Sequence, residues 1–143
     1  MIKIGIDVGS TTAKLVAVDE NDNLLFSKYE RHNAKAKETI LSFLKELLSE
    51  IGDKDISVRI TGSIGMGISE KCSLPFVQEV VAAAKAIQKD YSHVTSMIDI
   101  GGEDAKVVFF NDAEATDLRM NGNCAGGTGA FIDQMAIILG VNI

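Results

Sequence analysis

Apolar and polar residues alternate along the first part of the chain, with the period of two that is typical of a half-buried strand. Isoleucine occupies every second position in 2–6, and a second β-rich run covers 15–18 after a Gly-Ser-Thr-Thr turn. A third apolar run covers 24–29, beyond a polar turn at 20–23. The pattern predicts a hairpin that continues into an antiparallel meander of three strands.

The spacing of apolar residues then changes to three and four over 36–51, which predicts one face of a helix that ends at Gly52. Similar patterns predict two further helices, over 77–87 and 129–139, and strands over 56–60, 94–100, 105–110 and 115–120. This order of elements is typical of the α/β class, with a mixed sheet and helices on its faces.

The composition predicts that residues 1–143 form one ordered domain. The chain has 46% hydrophobic residues and a single proline, and no linker or repeat divides it. The net charge of −6 argues against a nucleic-acid or anionic-membrane partner. Because the N-terminal residues lack the basic and apolar regions of a signal peptide, we expect a cytoplasmic location.

Two turns share one local design. "GIDVGSTTAKLVAV" (5–18) and "DIGGEDAKVV" (99–108) both place an aspartate, Asp7 or Asp99, at a strand end and small residues after it. Such turns present backbone N–H groups to phosphate oxygens, and Mg²⁺ can bridge the carboxylates to the same phosphates. Either turn alone is better explained as an ordinary tight hairpin that carries a solvated aspartate. Together they favour a polyphosphate site.

The same residues carry a family resemblance. "GIDVGSTTAKLV" and "IDIGGEDAKVV" resemble the phosphate-binding turns of the actin, heat-shock chaperone and sugar-kinase ATPase superfamily. "NGNCAGGTGAFIDQMA" (121–136) resembles the cysteine-bearing segment of the ATPase activators of 2-hydroxyacyl-CoA dehydratases, the BadF/BadG type. The resemblance implies a ribonuclease-H-like mixed sheet with helices on both faces, which is one lobe of the actin-like ATPase fold.

In that family two protomers share one [4Fe-4S] cluster, and ATP hydrolysis drives a low-potential electron into an acyl-CoA dehydratase or reductase. The resemblance therefore implies ATP, Mg²⁺ and the cluster as cofactors, and a homodimer as the assembled form. Matching positions imply that Asp7 and Asp99 hold the hydrated metal, and that Asp7 and Glu103 are catalytic. The implied nucleotide-binding residues are Gly9, Ser10, Thr11, Thr12, Gly101, Gly102, Gly127 and Thr128.

Cys124 lies in a glycine-rich loop just ahead of the last predicted helix, where the helix dipole favours a thiolate or an anionic cluster. The resemblance implies that it ligates the cluster, and the residue-level alternatives are a small buried side chain or another reactive thiol. For Thr128 the alternative is a plain helix cap. Cys72 is expected to be an inert thiol that is buried or half-buried.

The chain departs from the family pattern at three points. Glu103 stands where many members have glutamine, so a carboxylate would act as the base; Ala130 replaces a common basic residue; and the second family cysteine is absent. The second, adenosine-binding domain is also absent from the pattern. We therefore expect these residues to be the N-terminal lobe of a longer protein, with weak nucleotide binding and little activity alone.

Two other functions remain open at the level of sequence. A small-molecule kinase would use the same turns to pass a phosphoryl group to a sugar or acid hydroxyl. A non-catalytic assembly module, like actin or a chaperone, would also keep them. Cys124 in its glycine-rich setting favours the activator, because a kinase has no evident need for it.

Overall fold

The computed structural model of the protein describes residues 1–102, 104–111, 114–122 and 125–142. The chain forms two compact units, Met1–Glu79 and Val80–Ile143. In chain order the elements are β1 (Ile2–Val8), β2 (Thr12–Val18), β3 (Leu24–Arg31), α1 (Ala36–Ile51), β4 (Ile56–Thr61), α2 (Gly65–Cys72), α3 (Glu79–Asp90), β5 (Ser96–Ile100), β6 (Asp104–Asn111), β7 (Glu114–Gly122), a single 3₁₀ turn (Ala125–Gly127) and α4 (Gly129–Leu139).

The first unit is built on a four-stranded sheet in the order β3-β2-β1-β4. β1, β2 and β3 are antiparallel neighbours, which confirms the predicted meander, and β4 runs parallel to β1. Side chains alternate along a strand, so the isoleucines of β1 and Val8 all lie on one buried face. The parallel pairing places Asp7 beside Thr61, at the carboxyl ends of their strands.

Helix α1 covers this buried face. Ile40, Phe43 and Leu47 recur at three and four along the helix and belong to the same hydrophobic cluster as β1. The helix has the predicted bounds of 36–51, and Gly52 ends it with a φ of +67°, in the region that favours glycine.

The second unit contains a three-stranded antiparallel sheet in the order β5-β6-β7. Ala84 of α3 packs against Val108 and Phe110 of β6. After β7 the chain continues into α4, whose bounds of 129–139 also match the prediction. The predicted α/β class is confirmed, and the first sheet is mixed as expected.

The two units repeat one design. Each contains three antiparallel strands in chain order that lead on to a helix, β1-β2-β3-α1 in the first unit and β5-β6-β7, the 3₁₀ turn and α4 in the second, where α3 precedes the strands. The strand registers match as well, since Asp7 lies opposite Lys14 and Asp99 lies opposite Lys106. The similar turns seen in the sequence therefore occupy the same position within each unit.

Helix α2 was missed by the sequence analysis. Two of its eight residues, Gly65 and Gly67, have low helix propensity. Tertiary packing explains the first of them, because a Cβ on Gly65 would lie 2.9 Å from Cγ2 of Ile60. The expectation that the Cys72 thiol is at least partly buried is wrong, since Cys72 ends α2 and is exposed.

Among the described residues, no helix combines the length and the apolar character that crossing a membrane requires.

Candidate phosphate-binding site

The first candidate turn joins β1 to β2. Gly9 N–H donates to the carbonyl oxygen of Thr12 over 3.0 Å, which closes the turn around Ser10 and Thr11. Both of these hydroxyl-bearing residues are exposed, so a ligand can reach them. The predicted site residues Gly9, Ser10, Thr11 and Thr12 are therefore brought together directly beyond Asp7.

Asp7 has two carboxylate oxygens in different surroundings. Oδ2 lies 2.9 Å from Nζ of Lys14, whereas Oδ1 is buried without a hydrogen-bond partner among the described residues. Burial by itself lowers the pKa of Lys14, but the hydrogen bond and charge of Asp7 outweigh it and hold the pKa above its ordinary value. Lys14 is therefore a cation at neutral pH.

A second orphaned oxygen belongs to the neighbouring strand. Oγ1 of Thr61 is also buried and has no partner in the described part of the chain. Buried polar atoms without partners are uncommon in native proteins and point to a water, an ion or a ligand. Oxygen donors at this point suit Mg²⁺, which keeps several of its waters, so Asp7 and Thr61 could hold a hydrated magnesium ion.

The loop after β4 wraps the end of β1 closely. Gly62 has a φ of +91°, and a Cβ there would lie 2.4 Å from the carbonyl oxygen of Val8 and 2.6 Å from Oδ1 of Asp7. Only glycine fits both the space and the backbone conformation. The sequence analysis gave this glycine no role.

His32, another residue missed by the sequence analysis, lies beneath the same turn. It is 4% exposed, and its Nε2 lies 3.0 Å from the carbonyl oxygen of Gly9. A lone histidine after a strand gives no signal by itself. Lys14 could have been found, because an aspartate and a lysine seven residues later recur as Asp99 and Lys106.

The second candidate turn joins β5 to β6 and closes in the same way. Gly101 N–H donates to the carbonyl oxygen of Asp104 over 2.8 Å, just as Gly9 does to Thr12. A Cβ on Gly101 would lie 2.6 Å from Oδ1 of Asp104, so a side chain at this position would require the Asp104 carboxylate to move. Lys106 is 7% exposed, and its Nζ lies 2.9 Å from Oδ2 of Asp104.

The start of α4 meets this second turn. Gly129 N–H donates to the carbonyl oxygen of Gly101 over 2.7 Å, and the Cα of Gly102 is 3.8 Å from the position of a Cβ on Gly129. Thr128 is 2% exposed and makes no capping hydrogen bond with its side chain. The positive end of the α4 dipole therefore lies beside the turn, which favours an anion there.

Two predicted site residues, Glu103 and Cys124, lie outside the described residues. Within the second unit, the structure brings Gly101 and Gly102 together with the segment that contains Gly127 and Thr128. Asp99 lies one residue before the end of β5, half-buried and opposite Lys106.

This combination of fold and turns defines the actin-like class of ATPases. The sequence profile of the BadF/BadG/BcrA/BcrD ATPase family matches residues 4–143, and the chain belongs to that family. The chain is 28% identical over 142 residues to the (R)-2-hydroxyglutaryl-CoA dehydratase activating ATPase of Acidaminococcus fermentans, with 98% of this chain and 54% of that protein covered. It is 31% identical over 156 residues to the 2-hydroxyisocaproyl-CoA dehydratase activator of Clostridioides difficile, with 100% and 54% covered.

Two solved structures of related proteins superpose on this chain. The A. fermentans dehydratase component A superposes with a TM-score of 0.84 at 28% identity, covering 99% of this chain and 55% of that one. The activator from Clostridium difficile with bound ADPNP superposes with a TM-score of 0.83 at 29% identity, covering 99% and 53%. The chain thus spans about half the length of these relatives.

Proposed function

We propose that the protein is the N-terminal, nucleotide-binding lobe of an activator that couples ATP hydrolysis to electron transfer into an acyl-CoA dehydratase or reductase. The observation that carries the proposal is the shared construction of the two turns. Each is closed by a glycine N–H bonded to the carbonyl three residues on, with an aspartate before it and a lysine after it. Two similar relatives are named as dehydratase activators, and one was solved with ADPNP.

In this proposal the first turn binds phosphate through Ser10, Thr11 and Thr12. Lys14 balances the carboxylate of Asp7, which lessens the repulsion that a bare aspartate would exert on a phosphate. By the family resemblance, Asp7 and, in the second unit, Asp99 would hold hydrated Mg²⁺, which would neutralise charge on the phosphoryl group. Thr61 is an additional candidate at the metal, on the strength of its orphaned hydroxyl oxygen.

The second turn contributes the backbone of Gly101 and Gly102 and, through the start of α4, that of Gly127 and Thr128. The helix dipole adds to the N–H groups of this turn and favours an anion there. Glu103 would act as the base for the attacking water. That role remains a proposal that rests on the family resemblance.

The iron–sulfur part of the proposal rests on the resemblance of residues 121–136 to the cysteine-bearing segment of the dehydratase activators. Cys124 would ligate a [4Fe-4S] cluster shared by two protomers in the cytoplasm, and the cluster supplies the low-potential electron. One cysteine per protomer leaves two iron sites for other ligands. The partner that accepts the electron would be an acyl-CoA dehydratase or reductase component.

Calorimetry with ADPNP tests the nucleotide site. We expect Mg²⁺-dependent binding that is weak, in the micromolar to millimolar range, because the turns hold phosphates while the part of the chain that the structure describes shows no identified adenosine site. Titration without Mg²⁺ is the control and should give little or no heat. Absence of any Mg²⁺-dependent binding would contradict the nucleotide site, and submicromolar affinity would contradict the single-lobe expectation.

The cluster is tested by replacing Cys124 with serine in the full-length protein, prepared anaerobically. We expect the brown cluster absorption and the bound iron and sulfide to be lost, while ATP hydrolysis is retained. Cys72→Ser is the matched control, because that exposed thiol has no proposed role, and it should keep the cluster. Equal iron content in the Cys124 variant and the parent protein would remove the assignment.

ATP-dependent phosphorylation of a sugar or acid would favour the small-molecule kinase as the function instead.

A further inference from the structure

His32 makes hydrogen bonds to two carbonyl groups of the first turn. Its backbone N–H donates to the carbonyl oxygen of Thr11 over 3.2 Å, and its ring Nε2 lies 3.0 Å from the carbonyl oxygen of Gly9. A carbonyl oxygen can only accept a hydrogen bond, so Nε2 must carry the proton. Nδ1 is then unprotonated in the neutral ring, and it is buried without a partner among the described residues.

These two bonds fix the direction of the turn's amide groups. In a planar trans peptide the C=O and the following N–H point in opposite directions, and the described peptide bonds are all trans. The carbonyl of Gly9 points inward to the buried ring of His32, so the N–H of Ser10 must point away from it. By the same geometry the carbonyl of Thr11, held by His32, turns the N–H of Thr12 outward.

The turn is therefore arranged before any ligand arrives. Gly9 N–H is also engaged, with the carbonyl of Thr12, so three carbonyls of the turn are each bonded within the protein. Donors that are already oriented do not lose conformational freedom when an anion binds.

We propose that His32 is a positioning residue of the first turn: its Nε2–H holds the Gly9 carbonyl inward and thereby directs the turn's donors toward a phosphate. The ligand part of this inference rests on the proposed nucleotide function. The positioning part depends only on the geometry of the protein and can be tested without nucleotide.

The tautomer is the first test. The chain has two histidines, and the exposed His93 serves as an internal reference in long-range ¹H–¹⁵N correlation spectra. We expect a single neutral tautomer for His32, protonated at Nε2, whereas an exposed ring exchanges between forms. An Nε2 without a proton, or averaging like that of His93, would overturn the proposal, and this measurement needs no variant.

Hydrogen exchange of the Gly9 amide in nucleotide-free protein is the second test. His32→Leu removes the donor, and exchange should become about tenfold faster as the turn loosens. His32→Gln places an amide donor at nearly the same reach and should restore the rate to within about threefold. Unchanged exchange in the leucine variant, or failure of glutamine to restore protection, would contradict a positioning role.

Ser69→Ala is the matched control. Ser69 is also buried in the first unit, and its hydroxyl donates to a main-chain carbonyl, that of Leu74, over 2.6 Å. This variant also loses one buried hydrogen bond and some stability. Exchange of the Gly9 amide should therefore become faster only as far as the lower stability of the whole protein requires. If Ser69→Ala accelerates Gly9 as much as His32→Leu does, the His32 effect is general destabilisation and the proposal fails.

Affinity for Mg²⁺-ADPNP is the third readout. His32→Leu should weaken it about tenfold, while His32→Gln and Ser69→Ala stay near the parent value. Weaker binding without faster exchange at Gly9 would contradict the mechanism. If the parent protein binds no nucleotide, the proposed function fails, and the tautomer and exchange measurements still decide the role of His32.

Discussion

Replacing Gly62 with alanine is expected to lower the free energy of unfolding by roughly 3 kcal/mol or more. Two effects add: alanine is strained at a φ of +91°, and its Cβ would lie 2.4 Å from the carbonyl oxygen of Val8. Neither neighbour is the free end of a flexible chain, since one is backbone and the other is the half-buried carboxylate of Asp7. Relief requires the ends of β1 and β4 to move apart.

That movement would also disturb the candidate metal site, because Oδ1 of Asp7 lies 2.6 Å from the position of the new Cβ. Denaturant unfolding and calorimetry with Mg²⁺-ADPNP measure the two effects. Nucleotide affinity is expected to fall at least tenfold under conditions in which the variant is still folded, since displaced carboxylates lose metal affinity by factors of about 10–100.

Gly67→Ala is the matched control for this substitution. Gly67 lies in α2, a Cβ there would meet no atom within 4 Å, and its φ is not positive. The change should stabilise the protein by about 0.5–1 kcal/mol, because alanine favours the helix, and should leave nucleotide binding unaltered. Equal stability of the two alanine variants would show that the loop does not approach β1 as closely as described.

Replacing Asp7 with asparagine in the full-length protein should reduce Mg²⁺-dependent ATP hydrolysis on the order of a hundredfold. The substitution keeps the size of the side chain but removes its charge, so the orphaned Oδ1 becomes a weak ligand for a hydrated cation. The apparent Mg²⁺ requirement should rise in parallel. Rates measured across a series of Mg²⁺ concentrations separate this effect from loss of the nucleotide itself.

Asp22→Asn provides the control for charge. Asp22 also forms an ion pair with a lysine of the first unit, Lys3, at 2.8 Å, but it lies in an exposed turn. Its φ of 64° is one that asparagine tolerates well, and exposed ion pairs contribute little to stability. This variant should therefore hydrolyse ATP at the parent rate. Similar losses in both variants would indicate a general effect of net charge and would contradict a metal role for Asp7.

Much of the secondary structure followed from local patterns. α1 and α4 have the predicted bounds because an apolar period of three to four, ended by glycine, is a strong local signal. The alternation in β1 and β2 likewise predicted the hairpin and its turn. α2 was missed because its glycines oppose helix formation locally, and packing of Gly65 against Ile60 outweighs that preference.

The residues of the candidate site also differ in whether local sequence patterns could predict them. Asp7, Ser10 and Gly101 could be proposed from sequence because turn chemistry depends on neighbours within a few residues. Gly62 and His32 could not, because their importance comes from contacts with Val8 and Gly9, which are distant in the sequence.

The amino-acid sequence by itself determined the strands and helices with clear periodicity, the two glycine turns and the family, because each depends on residues close together along the chain. Only the tertiary structure decided that the two turns close by the same hydrogen bond, that Gly62 must lack a side chain, and that His32 supports the first turn. The last two properties arise when segments far apart in sequence are brought together, and no local pattern of residues encodes the resulting distances.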